Sequence, residues 1–121
     1  MDSPRIALIR RLFDLMETTD PSGAAEELLA NSVDDVVFEP HVSHGKELRG
    51  REQLRKFWAE FAEEGLEIRA GAYSITEEGD TVVVSGWVRT IDDGRLADTQ
   101  SRWIYRFNEQ DQVVSARVER S

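Results

Sequence analysis

From Thr99 to Phe107 the chain alternates. Thr99, Ser101, Trp103, Tyr105 and Phe107 share one face of a strand, and Gln100, Arg102, Ile104 and Arg106 share the other. The first face grows from small and polar to large and aromatic, which suits a strand lining a tapering interior. Similar β-rich runs from Leu66 to Glu77, Thr81 to Ile91 and Val113 to Glu119 are separated by Glu78-Gly79-Asp80, Asp93-Gly94 and the stretch from Asn108 to Gln112. Such turn dipeptides at hairpin spacing predict an antiparallel meander of four strands. Upstream the period changes. Ser3-Pro4 opens a helix as N-cap and first helical residue, Ile6, Ile9, Leu12, Phe13 and Met16 form its apolar stripe, and Thr18 and Thr19 end it. Asp20-Pro21 opens a second helix with Ala24, Ala25, Leu28 and Leu29 on the buried side. Val33 to Glu39 reads as a strand that Pro40 stops, and His41 to Arg49 as a polar connection. Leu54, Phe57, Trp58 and Phe61 then give the clearest helical stripe, closed by Gly65.

The order is helix, helix, strand, helix, four strands. Helices segregated to one side of an antiparallel sheet make an α+β layer fold. A curved antiparallel sheet wrapped around one long helix leaves a pocket inside. The expectation is a single domain over residues 1–121 with Leu54, Phe57, Trp58 and Phe61 packed on Val84, Val88, Trp103 and Val118. The opposite face carries Trp87, Arg89, Arg102, Ile104 and Arg106, a mixture of aromatic and arginine residues that points to a homodimer through the sheet.

Composition narrows the partners. A formal net charge of -9 disfavours nucleic acid and anionic membranes. With no cysteine there are no disulfides and no thiolate metal sites. No apolar run approaches the ~20 residues that span a bilayer, and the N-terminal residues lack signal-peptide order, so a cytoplasmic protein is expected.

Three segments carry a family likeness: Val37-Phe38-Glu39-Pro40; Gly50-Arg51-Glu52-Gln53-Leu54 with Phe57-Trp58; and Arg106-Phe107-Asn108 with Val113-Val114. In this order they resemble the nuclear-transport-factor-2-like superfamily, especially its SnoaL-like and ketosteroid-isomerase-like members. The resemblance implies a cone-shaped α+β barrel with a deep apolar pocket, often dimeric through the outer sheet face. It sets Glu39 where ketosteroid isomerases carry their general-base aspartate. It sets Trp103 where those enzymes have an oxyanion-hole aspartic acid, and Leu12 and Phe13 near their catalytic tyrosine. Losing one such donor typically costs about 100- to 1,000-fold in rate.

The candidate chemistry therefore centres on Glu39 as acid/base, its pKa raised by burial or lowered by pairing with Arg120. The candidate ligand wall is Trp58, Val84, Val88 and Ser101 with Trp103, Ala116 and Val118. Thr99, Ser101 and Arg120 are the polar residues on the inward parity. Glu39, His41 and His44 have no recognised metal-ligand spacing, so neither metal nor cofactor is expected. An epoxide-hydrolase-like set drawn from Arg89, Asp92, Asp98 and Arg102 fails on parity, because Asp98 and Arg102 face out when Trp103 faces in. Two function classes remain. One is an isomerase, cyclase or hydrolase acting on an apolar metabolite through Glu39. The other is a non-catalytic ligand-binding or dimerisation module of the same fold.

Overall fold

The computed structural model describes residues 3–17, 21–41, 46–63, 65 and 67–120, with the backbone alone at 21, 22, 41, 46, 61 and 62. Thr18, Thr19, Asp20, His44, Leu66 and the side chains of His41 and Phe61 lie outside what is described. In chain order the elements are α1 (Pro4–Glu17), α2 (Pro21–Ala30), β1 (Ser32–His41), β2 (Lys46–Arg49), α3 (Arg51–Glu63), β3 (Glu67–Glu78), β4 (Thr81–Asp92), β5 (Arg95–Phe107) and β6 (Val113–Arg120). Helix α1 starts where Ser3 caps it: the Ser3 hydroxyl accepts the Ile6 amide at 3.2 Å and donates to Glu77 Oε1 at 2.6 Å.

The described strands form one unclosed sheet in the order β2-β1-β6-β5-β4-β3. The meander is antiparallel as expected, but β1 pairs with β6 in parallel, so the sheet is mixed. The reason is topological: β1 and β6 meet only after the helix α3 and the whole meander have been laid down, and that path returns the last strand in the direction of the first. Two other expectations change. The stretch read as a polar connection contains β2, antiparallel to β1. Pro40 interrupts the ladder without ending it: pairing is irregular between Phe38 and His41, and His41 still pairs with Lys46. A missing N–H is tolerated at such an irregularity.

Asp93-Gly94 forms the β4–β5 hairpin with positive φ at both residues, 50° and 77°, the backbone that a two-residue hairpin turn of this kind needs. Gly71 and Gly86 matter for a different reason. A Cβ on Gly86 would lie 2.0 Å from the Gly71 carbonyl oxygen, and one on Gly71 would lie 2.4 Å from Trp87 Nε1. Their bareness lets β3 bulge between Ala72 and Ser74, and it lets the Trp87 ring lie close to its own sheet.

The core fills one face of the sheet. Leu8, Ile9, Leu12 and Phe13 of α1, Leu28 and Leu29 of α2 and Leu54 of α3 cover Val36, Val82, Val84, Trp103, Tyr105, Phe107 and Val113. Phe13 meets Trp103 edge to face at 4.8 Å. That contact corrects the expected packing. Helix α1, rather than α3, covers the centre of the sheet. Phe57 and Trp58 of α3 are half-buried and stand instead against Phe38 of β1, at 6.2 and 5.0 Å between ring centroids. Helix α3 is tied there by its own first turn. The Gly50 amide donates to the Val36 carbonyl at 2.8 Å, Arg51 Nη2 donates to the Ser32 carbonyl at 2.6 Å, and Gln53 Oε1 accepts the Arg49 amide at 2.8 Å.

Candidate functional site

Residues in register across a sheet share a face, so the ladders define the concave wall row by row. One row is Glu77, Val82, Tyr105, Ala116 and Phe38. The next is Ile75, Val84, Trp103 and Val118, followed by Ala72, Gly86, Ser101 and Arg120, and then by Ala70, Val88 and Thr99. One end of these rows is sealed. Arg5 at the start of α1 donates to Asp111 Oδ1 at 2.7 Å, to the Asn108 carbonyl at 3.0 Å and to the Gly79 carbonyl at 3.2 Å, with its guanidinium 5.4 Å from the Phe107 ring centre. It thereby ties the helix to both turns at that end. Beside it Tyr105 is buried, and burial pushes its phenol well above the usual range, so it is a neutral wall residue.

The other end is less filled. Val88 and Val118 are half-buried there, whereas Phe57 and Trp58, also half-buried, stand apart from them against Phe38 of β1. The expected ligand wall thus divides by depth. Val84, Trp103 and Ala116 are core, 0, 4 and 2 % exposed, Val88 and Val118 border the less filled end with Ser101 buried in the row between them, and Trp58 stands apart from these on α3, against Phe38.

Glu39 is the main correction. It is half-buried and in register with Arg117, on the face it shares with Val37, while Val36 and Phe38 turn into the core. It therefore does not face the interior, and it lies on the opposite face from Arg120, which belongs to the Ser101 row. The physical reason is the size of Phe38. Both parities of this strand carry a valine, and burying the phenyl ring decides which parity turns in.

The outer face carries several ion pairs, beside Arg69 and Arg106, which have no carboxylate partner among the described residues. Arg89 holds Asp98 through two bonds of 2.7 and 2.9 Å, keeping that carboxyl below its usual range. Arg102 and Arg117 share Glu119. These charges neutralise one another on the side away from the core, so the epoxide-hydrolase-like reading stays excluded. Among the described residues no three histidine or acidic side chains gather as a metal site. None of the described helices is long and apolar enough to cross a membrane.

Two features escaped sequence reading. One is the Arg5 anchor, whose only signal was a cation beside Pro4 off the apolar stripe. The other is an open groove of about 340 Å³ between β2 and α3, lined by Leu48, Gln53, Lys56, Phe57 and Glu60. It could not be read because β2 itself was not.

The SnoaL-like domain family matches this chain over residues 9–116. No curated protein matches it significantly by sequence. Among solved structures it is similar to a nuclear-transport-factor-2-like protein of unknown function from Burkholderia pseudomallei, with TM-score 0.80 and 20% identity, over 99% of this chain and 92% of that one. It is also similar to a candidate polyketide cyclase from Xanthomonas campestris, with TM-score 0.79 and 12% identity, over 97% and 90% of the two chains. A candidate SnoaL-like polyketide cyclase from Jannaschia superposes with TM-score 0.74 and 22% identity, over 98% and 88%.

Proposed function

The chain belongs to the SnoaL-like domain family, and from that membership we propose that it binds a small, flat, apolar molecule at the less filled end of its concave face. The observation that carries this reading is the gradient along the concave rows. One end is packed and anchored, while Val88 and Val118 toward the other are apolar yet only half-buried. Such residues lose water on meeting an apolar ligand, each side chain gaining part of the ~1.5–3 kcal/mol of full burial. Two of the similar solved structures are candidate polyketide cyclases, which supports a small-molecule ligand. The test is mass spectrometry of the native protein for a co-purifying molecule, followed by titration of that molecule against Trp58→Ala. Retained affinity in the variant removes Trp58 from the site.

Binding is favoured over catalysis here because the one candidate base, Glu39, shares its face with Arg117. The catalytic version of the proposal, an isomerase, cyclase or hydrolase using Glu39 as acid/base, makes a separate statement. Glu39→Gln then abolishes turnover of the bound molecule and leaves its binding unchanged. Turnover that survives the substitution ends the catalytic version and leaves the binding one.

A further inference from the structure

The concave face holds a cation, Arg120, whose place beside the apolar wall invites a ligand group. Arg120 is in register with Ser101, Ser101 with Gly86 and Gly86 with Ala72, so this row is two small residues, one hydroxyl and one guanidinium. Ser101 is 4 % exposed, and its hydroxyl makes no hydrogen bond among the described residues. Arg120 is exposed and, like Arg69 and Arg106 on the outer face, has no carboxylate partner among the described residues; what sets it apart is its place in the Ser101 row beside the apolar wall. Directly beside this row stand Trp103 and Val118 on one side and Val88 and Thr99 on the other. The result is a cation and an unbonded hydroxyl at the edge of an apolar wall.

We propose that the ligand of this site is a carboxylic acid, its apolar body against Trp103, Val118 and Val88 and its carboxylate held by Arg120 and Ser101. The proposal rests on the concave-face reading above and names the ligand class for it. A guanidinium presents paired N–H donors that match the two oxygens of a carboxylate, and the serine hydroxyl supplies a third donor from the wall. A phosphate is a poorer fit, since phosphate sites usually recruit several backbone N–H groups or a helix N-terminus, and this row is built on paired strands. The overall charge of -9 repels anions from most of the surface, so an arginine with no carboxylate partner among the described residues, set beside the apolar wall, is a point that admits one.

The experiment uses matched pairs: 2-naphthoic acid with its methyl ester, and decanoic acid with its methyl ester. Each is titrated into the intact protein by calorimetry and by tryptophan fluorescence at low salt. The acids are expected to bind about five- to tenfold more tightly than their esters, the size of a charge-assisted contact discounted for exposure. Added salt should narrow that gap. Arg120→Gln should erase it while ester binding stays within about twofold, and Ser101→Ala should narrow it. Arg117→Gln, on the outer face, should leave it intact. Acids and esters that bind alike, or a preference that survives Arg120→Gln, overturn the carboxylate proposal and leave the apolar site standing. Failure of every acid and ester to bind overturns the concave-face reading and this inference with it.

Discussion

Arg5 shows how much a single side chain can organise. It donates to Asp111 and to the carbonyls of Gly79 and Asn108, so it joins α1 to both turns at the sealed end. Arg5→Ala should lower stability by about 2 kcal/mol in urea unfolding, because it strands two carbonyls and a carboxylate and removes the contact over Phe107. Arg5→Lys should recover only part of this, since a point charge cannot reach three acceptors in a plane. An alanine variant as stable as the parent would show the anchor to be ornamental. Tyr105 makes a prediction about pH. Its folded phenol is held neutral by burial, while in the unfolded chain it ionises near the ordinary value of about 10. Above that pH the unfolded state holds fewer protons, so the contribution is complete below about pH 10 and is lost as pH rises further. Unfolding in urea at pH 8 and at pH 11 should show that loss, and Tyr105→Phe should lose less. Equal losses assign the effect to other groups. At this scale the sequence was half legible. The parity of Trp103 followed from the taper along β5, whereas that of Glu39 did not, because Val36 and Val37 made both faces of β1 plausible.

Among the elements, α1 and α3 exchanged roles. Both stripes were legible, and α3 had the larger aromatics, yet α1 buries Leu8, Ile9, Leu12 and Phe13 while α3 buries Leu54 and leaves Phe57 and Trp58 half-covered. A stripe states that a helix has a buried side, and it does not state which strands lie beneath. Phe13→Ala should therefore cost about 3–5 kcal/mol, and Phe57→Ala only about 1–2 kcal/mol, measured by chemical denaturation. The reverse order of costs would return α3 to the centre of the core. The β3–β4 pair has its own vulnerable point. An alanine at Gly86 meets the Gly71 carbonyl, which is backbone and cannot swing aside. Gly86→Ala should cost about 2–3 kcal/mol, with amide chemical shifts of β3 perturbed on both sides of the bulge. Unchanged β3 shifts would show that the bulge can absorb the methyl group.

For the whole molecule, the outer sheet face is the remaining large surface. It carries Trp87, Ile104, Ile91 and the 63 % exposed Leu96 by register, among arginines paired with acids. Trp87 is less of a liability than a bare indole, since it lies against Gly71. A homodimer through this face remains the expected state. Light scattering at micromolar concentration should give a dimer, and Ile104→Asp should give a monomer. A parent protein that is already monomeric ends the expectation.

The sequence by itself determined the kinds of the elements other than β2, the turns at Gly79 and Gly94, the inward parity of β5 and the α+β class. These are written in periods of two and of 3.6 and in residues with special backbone freedom, all of them local. Only the tertiary structure decided which helix covers which strands, that β6 returns beside β1 in parallel, that β2 exists, and that Glu39 and Arg120 lie on opposite faces. Each of those depends on contacts between segments far apart in the chain. There the burial of one large side chain, such as Phe38 or Phe13, outweighs every local preference around it.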